Sequence, residues 1–122
     1  MREYSRDDIT LIAKGLDAGD IDYIGLGQFD FQIAFGRVHL TNYHRLDVRI
    51  FNYDYKWITG NECEAPIWLL LGKKIKSCKY ETPVAFRLEF SSRNFIRFYT
   101  EISAYECGAI SVSADQAVTK VY

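Results

Sequence analysis

Proline and histidine are scarce in this chain, cysteine comes as an odd number, and no apolar run is long. Two prolines, Pro66 and Pro83, among 122 residues leave no Pro-rich linker, and eight scattered glycines make no flexible tether. The longest apolar stretch, "PIWLLLG" from Pro66 to Gly72, falls far short of the roughly 20 residues that span a bilayer. The start, "MREYSRDDIT", has no apolar secretory segment, so a soluble, cytoplasmic protein is expected. Cys63, Cys78 and Cys107 are an odd number of widely spaced thiols, which fits a reducing compartment. They lack the paired spacing of a zinc site, and His39 and His44, five residues apart, do not complete one. No metal and no cofactor is expected, and no stretch carries a recognised catalytic motif.

What is present is aromatic. Nine Tyr, eight Phe and two Trp suit pleated, half-buried surfaces. Residues 5–16, "SRDDITLIAKGL", read as a short helix, with Ser5 as N-cap and Asp8 closing a capping box. Ile9, Ile12, Ala13 and Leu16 would form its buried stripe. Gly25 and Gly27 form a lone G-x-G before strand-like residues, which is a bend or bulge and not a dinucleotide fingerprint. Phe29, Phe31, Ile33 and Phe35 alternate with polar or small residues, and Gly36-Arg37 turns the chain into a partner strand around Val38 and Leu40. Leu46, Val48 and Ile50 share one face, whereas Tyr53, Tyr55 and Trp57 have the opposite parity. A bulge or turn is therefore required near Asn52 to Asp54. "IWLLLG" reads as a short helix between Pro66 and Gly72, and "KIKSCKYE" as a strand. A hairpin over residues 84–99, turning at residues 91–94, and a strand in "YECGAISVS" follow.

Residues 1–60 and 61–122 share an outline: short helix, strand, Phe-rich hairpin, closing strand. This predicts a single α+β domain built on a curved antiparallel sheet or partly open barrel. One or two short helices pack on it, and a two-fold pseudo-repeat runs through it.

The charge is uneven. Residues 1–30 hold seven acidic against three basic residues, and residues 70–100 hold seven basic against two acidic. This permits one acidic and one basic surface. Asp17, Asp20 and Asp22 lie in an acidic turn that lacks the regular oxygen spacing of a calcium loop. Together with Tyr53, Asp54, Tyr55 and Trp57 they are candidates for recognising a protein partner, since Tyr, Trp and Arg dominate interface energetics. Arg87, Phe95, Arg97 and Tyr99 face outward on the hairpin and form an alternative, single-strand nucleic-acid face. His39 or His44, with Arg45 or Lys56, makes a third reading, a small metal-free ribonuclease or hydrolase. Cys107 is the best placed of the thiols for a nucleophile.

At Leu71, Gly72, Lys73 and Ile75, at Phe86, Leu88 and Phe90, and at Tyr105 and Glu106, the C-terminal half resembles small bacterial immunity proteins of toxin and contact-dependent inhibition systems. Its hairpin turn carries Ser-Arg-Asn where such domains more often carry Asp-Gly. The resemblance implies a cytoplasmic, non-enzymatic antitoxin. It would bind a cognate toxin domain, a nuclease for instance, and block its active site. It transfers no catalytic residues.

Overall fold

The computed structural model describes residues 3–15, 20–91, 94–101, 107–112 and 118–122. The order is α1 (Arg6–Gly15), β1 (Ile21–Leu26), β2 (Phe31–Phe35), β3 (Val38–Asn42), β4 (Arg45–Ile50), β5 (Tyr53–Ile58), a 3-10 turn (Ile67–Leu70), β6 (Ser77–Thr82), β7 (Ala85–Ser91), β8 (Asn94–Tyr99), β9 (Gly108–Val112) and β10 (Val118–Val121). The strands form two antiparallel five-stranded sheets, ordered β1-β2-β3-β9-β10 and β5-β4-β8-β7-β6. The expected antiparallel α+β architecture is present, arranged as two facing sheets. Phe31 of one sheet meets Phe98 of the other, with ring centroids 6.1 Å apart. Phe86 and Phe98 stack beside them at 4.9 Å.

The helix begins as its capping box dictates. The Asp8 amide donates to Ser5 Oγ and the Ser5 amide donates to Asp8 Oδ2, so two orphan donors of the first turn are satisfied reciprocally. Ile9 and Ile12 are buried, but Ala13 faces solvent; Leu16 lies outside the described residues. Gly15 approaches β3 and β9 closely enough that a Cβ there would meet Val38 and Val112.

The two halves repeat topologically. Exchanging each of the first five strands with the strand five places later turns β1-β2-β3-β9-β10 into β6-β7-β8-β4-β5, which is the second sheet read from its other end. Each half thus donates its last two strands to the sheet of the other. The repeat extends to the covering elements: α1, which precedes β1, packs on β6, and the 3-10 turn, which precedes β6, packs on β1. The halves interleave instead of folding side by side.

Two crossovers carry the exchange, from β3 to β4 and from β8 to β9. Buried Asn42 locks the first to the second: its Nδ2 donates to the Tyr99 carbonyl at 2.9 Å, and its Oδ1 accepts from the His44 amide at 2.8 Å. The Tyr43 amide donates to the Cys107 carbonyl at 2.7 Å.

The parity conflict between β4 and β5 is resolved at Phe51-Asn52, one residue earlier than the expected start of the turn. Both residues have positive φ, 51° and 71°, as a two-residue hairpin of the I′ kind requires. This places Tyr53 opposite Ile50, Tyr55 opposite Val48 and Trp57 opposite Leu46. All three aromatics therefore share the core face.

Candidate functional site

The sequence-derived partner set is dispersed by this register. Trp57 is only 1 % exposed and belongs to the core, which corrects its expected place at the surface. Its indole Nε1 has no hydrogen-bond partner among the described residues. Burial declines along β5 because the strand runs off the end of the core: Tyr55 is half-buried and Tyr53 is 69 % exposed. Asp54 points to the opposite face, where it pairs with Arg49 at 2.7 Å. Asp20 and Asp22 are exposed at the start of β1, in the other sheet. That segment is held to the chain after the 3-10 turn by the Ile21 amide on the Lys73 carbonyl and the Gly72 amide on the Ile21 carbonyl. Asp17 lies outside the described residues. Phe29, expected in a strand, sits in the turn before β2 and is exposed.

The outer face of the second sheet gathers the alternative set as expected and adds to it. The guanidinium carbons of Arg49, Arg87 and Arg97 lie 5.1 to 5.3 Å from the centre of the Phe95 ring. Arg45 covers Tyr99 at 4.4 Å. A hollow of about 480 Å³ opens there, bounded by Asp47, Arg49, Asp54, Lys56, Arg87 and Phe95. Each arginine is already partnered. Arg87 pairs with Glu89 at 2.7 Å, Arg97 with Glu81 at 2.6 Å, and Arg45 with Asp47 at 3.2 Å. The hydrogen bonds that Arg97 donates to Glu81 push the Arg97 pKa upward, and the hydrogen bond that Arg49 donates holds Asp54 below the usual carboxylate range. A phosphate would have to displace these carboxylates before it could bind.

The histidines take separate positions. His39 lies on the outer face of the first sheet, with Nε2 3.0 Å from Gln32 Oε1 and its ring edge-on to Tyr23. His44 lies at the first crossover, 3.8 Å from Glu101. Burial raises the thiol pKa of Cys63 and pushes that of Cys78 up to about 12, which disfavours the thiolate at both.

The residues that sequence reasoning missed are apolar. Among the described residues eleven large hydrophobic side chains are exposed, and ten of them fall between Tyr23 and Leu71. Most belong to β1, β5, their adjoining turns and the 3-10 turn. The ends of β1 and β5 are tied together on this side, by the Gly60 amide on the Gln28 carbonyl and Thr59 Oγ1 on the Phe29 carbonyl. A groove of about 220 Å³ runs between β1 and the 3-10 turn, lined by Ile24, Leu26, Cys63, Ala65, Ile67, Trp68 and Leu71. Trp68 is 63 % exposed at its edge. On the topologically equivalent side α1 packs on β6, whereas here one 3-10 turn stands in place of a helix. The signal was a period of three. Ile67 and Leu70 face inward, so Trp68, Leu69 and Leu71 cannot.

No protein-family model, no curated protein and no solved structure matches this chain. Among the described residues no helix is long and apolar enough to cross a membrane.

Proposed function

We propose that this chain is a non-enzymatic binding protein of the immunity type, which neutralises a cognate toxin domain, a nuclease being the favoured class, by covering its active site in the cytoplasm. The gathering of exposed Leu26, Trp68 and Leu71 around one apolar groove between β1 and the 3-10 turn carries the reading, because exposed apolar surface of this kind marks interaction sites. Trp68, Leu26 and Leu71 would anchor the partner in and beside the groove. Tyr53 and Phe51 would extend the contact, and exposed Asp20, Asp22, Glu62 and Glu64 would meet a basic surface such as a nuclease presents to its substrate.

The test is co-purification with the product of the gene immediately upstream, followed by titration calorimetry. A 1:1 complex that abolishes the toxin's activity is expected. The Leu26→Ala, Trp68→Ala double variant should weaken it by at least about 2 kcal/mol, roughly thirty-fold. Both residues are exposed, so folding should be unaffected. A complex of unchanged affinity would remove this surface, and failure to bind would remove the role.

The ring of arginines around Phe95 favours a second reading, an anionic ligand such as a nucleic-acid single strand. That reading requires binding that weakens steeply with salt and is lost in Phe95→Ala. Absence of binding at low salt would exclude it.

A further inference from the structure

The two crossovers bring together three side chains that are remote in sequence. The ligand atoms of His44, Glu101 and Cys107 all lie within 4.8 Å of one another. His44 Nε2 is 3.8 Å from Glu101 Oε2, and Cys107 Sγ lies 4.0 Å from the Glu101 carbonyl oxygen. The geometry points to a three-ligand site for a divalent transition ion of the zinc class, independent of the partner-binding surface.

Three observations support the assignment. The donor set is imidazole, carboxylate and thiolate, the combination zinc accepts. A tetrahedral zinc with bonds of about 2.0 to 2.3 Å holds one sulfur, one nitrogen and one oxygen ligand atom about 3.3 to 3.6 Å apart. The His44–Glu101 separation of 3.8 Å needs to close by roughly 0.5 Å, and no separation needs to close by more than roughly 1.3 Å. The exposed Glu101 side chain and the half-buried His44 side chain can move towards Cys107, which is buried. Finally, the backbone is organised on both sides of the cluster. Asn42 bonds both the His44 amide and the Tyr99 carbonyl, and the Tyr43 amide bonds the Cys107 carbonyl. Ligands held by such a shell need little reorganisation to bind.

With three protein ligands, the fourth position would be open to water on the Glu101 side. Binding would convert the Cys107 thiol to a thiolate and release its proton to solvent. The ion would staple the β3–β4 crossover to the β8–β9 crossover, where the two halves of the chain exchange strands. The spacing of cysteines and histidines in the sequence argues against a metal. The fold overrides that argument by joining positions 44, 101 and 107.

The test is titration of the reduced full chain with Co²⁺ as a spectroscopic stand-in for zinc. One ion per chain is expected, with thiolate-to-cobalt charge-transfer absorption in the near ultraviolet and visible bands of tetrahedral intensity. Cys107→Ser should lose the charge-transfer absorption, and Cys63→Ser should keep it. His44→Ala and Glu101→Gln, both at partly exposed positions, should each weaken Co²⁺ and Zn²⁺ by about ten-fold or more while circular dichroism stays unchanged. Absence of charge-transfer absorption in the wild type would overturn the assignment. So would absorption that survives Cys107→Ser, or ion affinity indifferent to His44→Ala and Glu101→Gln.

Discussion

Asn42 shows how much one polar side chain can decide. It is fully buried and spends its amide on two backbone groups of the crossovers. Asn42→Ala would leave the Tyr99 carbonyl and the His44 amide without those partners, and about 2 to 3 kcal/mol of stability should be lost in urea denaturation. Phe51 is the opposite case, a bulky residue at φ 51° that is 61 % exposed and so gains little burial for its strain. Replacing Phe51-Asn52 by Asn-Gly, the preferred pair for this turn, should stabilise the fold by about 1 kcal/mol. If Phe51 contacts the partner, the same change should weaken the complex. Cys78 carries a pH dependence. Its folded pKa, raised by burial to about 12, lies above the ordinary value of 9.0, so the neutral thiol belongs to the folded state. Stability from this group is full below pH 9 and is lost as pH rises from 9 towards 12. Thermal melts of Cys78→Ala should show a shallower alkaline decline than wild type, with the remaining slope owed in part to Tyr4, which burial also raises.

At the scale of elements, most strands were readable because alternation is local. The hairpins β2–β3 and β7–β8 bury the expected Phe31, Ile33, Phe35, Phe86, Leu88, Phe90, Ile96 and Phe98. The turn at Ser92 and Arg93 lies outside the described residues, as do Tyr105 and Glu106. Pairing across the halves was not readable. At the β3–β9 pair Gly108 lies opposite Asn42, and a Cβ on it would run into the carbonyl oxygen of Thr41. That obstacle is backbone and cannot swing aside. Gly108→Ala should therefore destabilise by 2 kcal/mol or more in chemical denaturation, by roughly the cost of overpacking. It should also disturb the neighbouring Cys107.

At the scale of the whole molecule the exchange of strands makes the halves interdependent. Strands β4 and β5 lie in the sheet of β6 to β8, and β9 and β10 lie in the sheet of β1 to β3. Fragments 1–61 and 62–122 should each lack cooperative folding alone and should regain β-sheet circular dichroism when mixed. Independent folding of either fragment would contradict the interleaved topology. The same topology explains where function can sit. One side of the sandwich is covered by α1, and its counterpart by a short 3-10 turn that leaves a groove. The pseudo-symmetry breaks at the surface proposed for the partner.

By itself the sequence determined the capped helix, the alternating strands, two hairpins and the outline shared by the halves. Those features depend on neighbours a few residues apart. Tertiary structure decided that the outline is exchanged between sheets, that Trp57 is core while Trp68 is surface, and that His44, Glu101 and Cys107 meet. The exchange and the meeting of positions 44, 101 and 107 depend on which strands pair between the halves, and an alternating pattern is equally satisfied by several such partners. Parity in β5 assigned its aromatics to a shared face, but only the register against β4 determined which face that is and how far along it the core reaches.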